Sequence, residues 1–162
     1  MALTFDALRT MLSARQYKAV YLLHGEEGYY IDRLVEDFEK IIPEDERDFN
    51  MHVFYAPRVE PDTVMSVCRQ APFGVERQLV ILKEAQALKA DELNRYHHYV
   101  AAPNPQTIFV ICCRGEKAKG KDLLAACKKP HVEVFETKKL YDSQIKQEIQ
   151  RCLSAKDLSA DP

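Results

Sequence analysis

The chain has 162 residues, of which 46% are hydrophobic and 30% charged, and its formal net charge is −2. This length is typical of one domain, which buries about two thirds of its surface without needing a disulfide or a metal. Five glycines and eight prolines exclude collagen-like chains, and the mixture of charged and apolar residues argues against disorder. No apolar run approaches the roughly 18 residues of a membrane span, and the first ten residues lack a signal-peptide layout.

Short apolar runs alternate with amphipathic stretches, which is typical of a parallel sheet with crossover helices. In chain order the predicted elements are a helix over 4–13, a strand over 19–24, a helix over 30–42, a strand over 51–55, a helix over 61–68, a strand over 78–82, a helix over 91–100, strands over 107–112 and 132–135, and a helix over 142–153. Asp91 and Asp142 are the expected N-caps of the helices that they begin. The chain shows no internal repeat and no linker.

The strands differ in how apolar they are, and this difference predicts their places in the sheet. The strands over 78–82 and 107–112 are apolar on both faces, so we expect them near the centre. The strand over 132–135 alternates between apolar and polar residues, as an edge strand does. We therefore predict an α/β three-layer sandwich with a mostly parallel five-stranded sheet.

The charge distribution limits which partners are expected, and the cysteines indicate the cellular compartment. Residues 1–110 carry 12 basic and 17 acidic side chains, whereas residues 111–162 carry 11 and 8, which is far from the profile of a stand-alone nucleic-acid-binding domain. Contact with DNA is therefore expected to be indirect or weak. The odd number of cysteines and the lack of a C-x-x-C pair indicate reduced thiols in a cytoplasmic protein. The cysteines are Cys68, Cys112, Cys113, Cys127 and Cys152.

The loop after the first strand is where such a sheet would bind a phosphate, at the N-terminus of the following helix. A phosphate loop needs glycines, a lysine for the phosphates and a hydroxyl for Mg²⁺. Here Gly25 and Gly28 are present without either partner, and Glu26 and Glu27 place two carboxylates where the phosphate would lie. We interpret the glycines as a tight turn and the glutamates as residues that favour the helix N-terminus.

The end of the third strand also lacks the chemistry of a nucleotide hydrolase. That position normally carries an acidic residue that holds Mg²⁺, but the strand ends in Lys83 followed by Glu84. The adjacent residues His97 and His98 lack the i, i+4 spacing of metal ligands on a helix, and no serine lies in a G-x-S-x-G context. No catalytic residue, metal site or cofactor is therefore predicted.

Two loop segments are candidates for contact with a partner. Between a helix and the third strand, Pro72 and Gly74 flank a large aromatic residue, Phe73, which either folds back into the core or projects outward as an anchor. After the fourth strand, a basic stretch carries Lys117, Lys119 and Lys121. It is interpreted as a solvated loop, with contact to a phosphate or a partner as the alternative.

Three segments in the same order resemble the N-terminal domain of bacterial DNA polymerase III delta subunits. They are Val20–Glu27 (VYLLHGEE), Ala71–Lys83 (APFGVERQLVILK) and Ala102–Thr107 (APNPQT), and the resemblance extends to about Leu153. In that family the domain has an AAA+-like fold with a degenerate nucleotide site, which agrees with the residues at positions 26, 27 and 83. The resemblance implies an AAA+-like domain over 1–153 and the start of a lid region over 154–162.

The resemblance also implies a function and its site. Members of this family are non-catalytic clamp-loader subunits of the DNA polymerase III holoenzyme, a DNA-directed DNA polymerase (nucleotidyltransferase) complex, and they bind and open the sliding clamp. A hydrophobic pair at a helix tip enters a pocket on the clamp, and by position this pair is Pro72 and Phe73. Some relatives have a Leu-Phe pair, so Pro72 is a partial departure. Other clamp-loader subunits are the further partners expected of the full-length protein.

Two other functions are compatible with an α/β sheet of this kind. A regulatory nucleotide-binding domain with an unusual phosphate loop would be stabilised by Mg-ATP, which distinguishes it from a clamp-binding domain. A receiver-like domain would need a phosphoacceptor aspartate after the third strand, where this chain has Lys83 and Glu84.

Overall fold

The computed structural model describes residues 3–137, which form a central sheet between two layers of helices. The strands are β1 (Val20–Gly25), β2 (Met51–Tyr55), β3 (Gln78–Lys83), β4 (Thr107–Arg114) and β5 (Val132–Thr137). The helices are α1 (Phe5–Ser13), α2 (Gly28–Glu39), α3 (Arg47–Asn50), α4 (Pro61–Arg69), α5 (Ala90–Asn94), α6 (His97–Ala101) and α7 (Lys121–Ala126). The predicted helix over 142–153 lies outside the described residues.

All five strands are parallel, in the order β2-β3-β4-β1-β5. Leu22 of β1 lies between Ile111 of β4 and Val134 of β5. The three inner strands are buried almost throughout, because helices cover both faces of the sheet. The predicted strands, the central places of β3 and β4, and the edge position of β5 are confirmed.

The core has two halves, one on each face of the sheet. On one face, α1 and α2 contribute Phe5, Leu8, Leu34 and Phe38 to the apolar layer. On the other face, α4 to α7 pack residues such as Val64, Cys68, Tyr96, Tyr99 and Leu123 against the sheet. Alternation along β4 sends the adjacent thiols of Cys112 and Cys113 to opposite halves. The three-layer α/β sandwich is therefore confirmed.

The segment before β4 differs from its prediction. The sequence predicts one helix capped by Asp91, but two short helices form. Lys89 is the N-cap residue of the first, and its N–H donates to the Glu92 carboxylate at 3.2 Å. The break between them buries the Tyr96 ring, whose centroid lies 6.0 Å from that of Phe109. Packing against the sheet thus overrides the propensity for one continuous helix.

Helix α7 was not predicted, because its N-terminal cap comes from a distant residue. Gly120 precedes it with a φ of 106° and has no side chain to act as a cap. The side-chain oxygen of Asn94 instead accepts from the N–H groups of Asp122 and Leu123, at 3.0 and 3.1 Å. The helix then buries Leu123 and Ala126.

Candidate functional site

The segment between α4 and β3 presents a large apolar side chain to solvent. Phe73 is 71% exposed, and Pro72 beside it is half-buried. Gly74 follows with a φ of 70°, a conformation that favours glycine, and nothing lies close to the position that a Cβ would occupy there. Of the two outcomes expected for Phe73, the structure shows the outward projection.

A buried side chain fixes the backbone of this turn. The Oδ1 atom of Asn50 accepts from the N–H of Phe73 at 2.7 Å, and its Nδ2 atom donates to the carbonyl of Phe73 at 3.1 Å. Asn50 is 2% exposed, so these two hydrogen bonds are largely protected from water. The side chain of Phe73 is therefore exposed, while the backbone of the same residue is fixed by Asn50.

The start of the segment is held by side chains that bind the last carbonyls of α4. Gln78 Nε2 donates to the carbonyls of Val67 and Gln70, both at 2.9 Å. Asn104 Nδ2 donates to the carbonyl of Cys68 at 3.1 Å. These bonds satisfy carbonyl groups that a helix C-terminus leaves without partners, and they fix where the chain leaves α4.

A second exposed ring, which the sequence analysis did not identify, lies against Phe73. Phe49 is 61% exposed, and its ring centroid lies 5.2 Å from that of Phe73 with an interplanar angle of 32°. A signal existed in the sequence, since Phe49 is an aromatic residue that directly follows the charged run 44–48. Among residues 3–137, the other exposed large hydrophobic residue is Tyr55.

The loop at the start of α2 uses its polar groups within the protein. The Glu27 carboxylate caps the helix by accepting from the Tyr29 N–H at 3.0 Å, while the Glu27 N–H donates to Thr137 Oγ1 at 2.9 Å. Glu26 is exposed beside it. A carboxylate therefore occupies the helix N-terminus where a bound phosphate would be stabilised.

Both glycines of this loop lie in close contact with neighbouring protein atoms. Gly25 has a φ of 126°, and a Cβ there would collide with the backbone and hydroxyl of Thr137. A Cβ on Gly28 would lie 2.7 Å from Nε of Arg114, whose side chain passes over the loop and pairs with Asp32 at 3.0 Å. The glycines thus admit neighbouring protein atoms where a nucleotide-binding loop would admit phosphates.

The ends of the inner strands border a cavity of about 440 Å³ that is acidic on balance. Lys83, the last residue of β3, and Arg114 supply its basic groups. Its acidic groups are the carboxylates of Asp32, Glu36, Glu39 and Glu84. An excess of carboxylates disfavours a polyphosphate. Within residues 3–137 no group of three or more His, Cys, Asp or Glu side chains is arranged to hold a metal ion.

The predicted basic stretch is partly neutralised by its neighbours. Lys117 pairs with Glu136 at 3.2 Å, and Lys119 pairs with Glu116 at 3.6 Å. Lys121 begins α7 and is exposed. The three lysines therefore present less positive potential than their number suggests, and their contact with DNA stays a prediction.

The thiols in the described part of the chain are buried and free. Burial raises the pKa of Cys113 to about 12 and that of Cys127 to about 11, so both are protonated at neutral pH. Cys152 lies outside the described residues. None of the helices between residues 3 and 137 is both long and apolar enough for a membrane span.

Known proteins of one family resemble this chain. A family model described as DNA polymerase III, delta subunit, matches residues 21–138. The DNA polymerase III subunit delta of Bacillus subtilis (strain 168) is 26% identical over 147 residues. That alignment covers 85% of this chain and 42% of the relative, so the chain spans less than half the length of that relative.

Solved structures share the fold. The Bacillus subtilis DNA clamp loader delta protein matches with a TM-score of 0.79 and 24% identity, over 94% of this chain and 48% of that one. A Thermotoga maritima DNA polymerase III gamma subunit-related protein matches with a TM-score of 0.55 and 14% identity, over 91% and 49%. These matches confirm the expected α/β fold. Because the family model covers most of the sheet and both candidate loops, the chain belongs to the DNA polymerase III delta subunit family.

Proposed function

We propose that this chain is the clamp-binding domain of a clamp-loader delta subunit, which binds and opens the sliding clamp during DNA replication. The observation that carries the proposal is Phe73, 71% exposed on a turn whose backbone is fixed by Asn50. Large aromatic residues that project from a rigid turn are frequent binding hot spots. Phe73 is accordingly the principal anchor, and Pro72 supplies the adjoining apolar contact.

The proposed mechanism is conformational and needs no bond-making step in this domain. The anchor would enter an apolar pocket near the dimer interface of the clamp and stabilise an open form. A bound protein shifts such an equilibrium only by the difference between its affinities for the open and closed forms. Phe73 must therefore contact the open clamp more favourably than the closed one.

The domain is proposed to work without a cofactor or an ATPase activity of its own. Support comes from the phosphate loop, where Glu27 occupies the helix N-terminus and Arg114 packs against Gly28. ATP hydrolysis would take place on the motor subunits of a cytoplasmic clamp loader. In the full-length protein, residues 1–153 would form the clamp-binding domain, residues 154–162 would begin the lid, and later parts would contact the other subunits.

Any direct contact with DNA is proposed to be weak and to involve Lys117, Lys119 and Lys121. All three are exposed, but Lys117 and Lys119 already have carboxylate partners. Exposed ion pairs exchange readily, so a phosphate could compete for these lysines. Such a contact would weaken steeply with added salt.

The first experiment measures binding of this chain to the sliding clamp of the same organism by surface plasmon resonance. The wild type is expected to bind saturably, and Phe73→Ala to lose ~2 kcal/mol or more, a factor of about 30 in Kd. Because Phe73 is exposed, the variant should keep the circular dichroism spectrum and the Tm of the wild type. The control is Glu26→Ala, an exposed residue just after the C-terminal end of β1, whereas Phe73 lies before the N-terminal end of β3.

The two contrary outcomes have different meanings. If the folded wild type does not bind the clamp, the proposed function is wrong for this chain. If Phe73→Ala binds as tightly as the wild type, the family assignment stands but the anchor lies elsewhere on the domain.

A further inference from the structure

Two aromatic rings from separate segments form one exposed pair on this domain. Phe49 and Phe73 lie 24 positions apart in the chain, yet their ring centroids are 5.2 Å apart. Their contact leaves them 61% and 71% exposed, so most of each ring is free to meet a partner. We propose that the anchor for the sliding clamp is this pair of rings, set by Asn50, and that both enter one apolar pocket of the clamp. This inference rests on the proposed function.

One residue determines where both rings lie. Asn50 follows Phe49 in the chain and holds the backbone of Phe73 through hydrogen bonds of 2.7 and 3.1 Å. The other end of α3 is also tied down, because Arg47 donates to the carbonyls of Ile42 and Glu39 at 2.9 and 3.0 Å. The pair is therefore pre-organised, and binding would cost little ordering of the chain.

The pair needs a partner that supplies a pocket, and residues 3–137 of a second copy do not fit that need. Burial of one aromatic side chain removes about 150–250 Å² from water, so two rings fall well below the ~800 Å² per partner of a stable interface. The cavity of about 580 Å³ next to the anchor segment, bordered by Val75–Arg77, is a poor match for two rings, because charged side chains are interspersed with the apolar ones on its walls. Its walls carry the charged side chains of Arg9, Arg15, Asp37, Lys40, Glu46, Glu76 and Arg77.

The surroundings of the pair match the rim of a hot spot. In the same two segments, Asp48 precedes Phe49 and Glu76 follows Phe73 by three residues, and both are exposed, while Arg47 and Arg77 are half-buried. An apolar centre bordered by charged residues is the usual arrangement in protein interfaces, where the rim excludes water from the anchor. The partner pocket is accordingly expected to be apolar at its base and polar at its edge.

The experiment measures the Kd for the sliding clamp of the same organism for the wild type, Phe49→Ala, Phe73→Ala and the double variant. We expect Phe49→Ala to weaken binding about tenfold and Phe73→Ala about 30-fold. The double variant should lose less than the product of the two, because the rings contact each other. The matched control is Tyr55→Ala, a 47% exposed aromatic residue at the other end of β2, about 20 Å away, which should bind like the wild type.

Asn50 is a positioning residue, and a second variant tests it. Asn50→Ala removes both bonds to Phe73, so the rings lose their fixed spacing, and binding should weaken at least tenfold at a temperature where circular dichroism shows the variant folded. In an Asn50→Ala background, Phe49→Ala should then cost less than it does in the wild type. A purely structural role for Asn50 would lower the Tm but leave the Kd of the folded variant and the effect of Phe49→Ala unchanged.

Each contrary outcome overturns a different statement. If the wild type binds and Phe73→Ala does not, but Phe49→Ala binds like Tyr55→Ala, the two-ring anchor is wrong and the proposed function stands. If the folded wild type fails to bind, the proposed function fails and the inference fails with it. If light scattering shows a wild-type dimer that Phe49→Ala converts to a monomer, the pair binds a second copy and the clamp is the wrong partner.

Discussion

The side chain of His24 is buried near the end of β1, and its two ring nitrogens have different surroundings. Nδ1 accepts from the Ala118 N–H at 2.8 Å, whereas Nε2 has no hydrogen-bond partner and lies 3.9 Å from Oε1 of Glu136. Burial lowers the pKa of His24 below its ordinary value of 6.5; the Glu136 carboxylate opposes this and Lys117 adds to it. The neutral ring is therefore the form that fits the folded protein.

This environment predicts a loss of stability on acidification. The unfolded chain takes up a proton at His24 near pH 6.5 and the folded chain only at lower pH, so the free energy of unfolding falls as pH drops below about 6.5. The slope from this residue is at most ~1.4 kcal/mol per pH unit. Urea unfolding at pH 7.5 and 5.5 measures it. His24→Asn, which keeps an acceptor for the Ala118 N–H, should reduce the difference, while His98→Asn, an exposed control, should not.

Helix α7 shows how one element depends on another. Its first N–H groups are capped by the Asn94 side chain of α5, because Gly120 has no side chain to offer. The six residues of α7 are too few to form a stable helix alone, so the cap and the burial of Leu123 hold it in place. Helices α5 and α7 should therefore lose structure together.

Replacing Asn94 by Ala tests this dependence. The change leaves two N–H groups of α7 without a protein partner, and we expect the free energy of unfolding to fall by ~1–2 kcal/mol. The control is Asp91→Ala, which removes an exposed polar side chain from the same helix α5. Guanidinium unfolding measures both variants. Equal stability of Asn94→Ala and Asp91→Ala would show that water satisfies these N–H groups as well as Asn94 does.

At the scale of the whole molecule, the parallel sheet brings the ends of β1, β3 and β4 to one edge, where related folds bind ligands. Here side chains of the protein occupy that edge. Arg114 and Asp32 form an ion pair over the loop, and Glu27 caps α2. The sheet thus has an edge of the kind that binds ligands in other α/β folds, but in the described loop a carboxylate and an arginine lie where phosphates would be held.

The acidic edge predicts that Mg-ATP leaves the stability of this chain unchanged. A ligand at 100 times its Kd would add ~2.7 kcal/mol to the free energy of unfolding, which is several degrees in Tm for a domain of this size. Differential scanning fluorimetry with and without millimolar Mg-ATP measures the shift, with Mg²⁺ alone as the control. A saturable rise in Tm with ATP would favour the regulatory nucleotide-binding domain instead.

Taken by itself, the sequence determined the five strands of the sheet and the places of three of them. Apolar runs on both faces marked β3 and β4 as inner strands, and alternation marked β5 as an edge. The reason is that a strand covered by helices on both faces buries all its side chains, whereas an edge strand leaves some of them exposed. Glu26, Glu27 and Lys83 also predict that phosphate is not bound here, since a phosphate site requires particular residues within one short loop and at one strand end; this stays a prediction.

Only the tertiary structure decided what the anchor segment looks like. The sequence left open whether Phe73 fills the core or projects outward, and the turn that presents it is held by bonds to Asn50, 23 residues away. The pairing of Phe49 with Phe73 and the cap of α7 by Asn94 likewise join distant residues. Hydrogen bonds and ring contacts of this kind leave no periodic pattern in the chain, because they depend on which segments the folded sheet brings together.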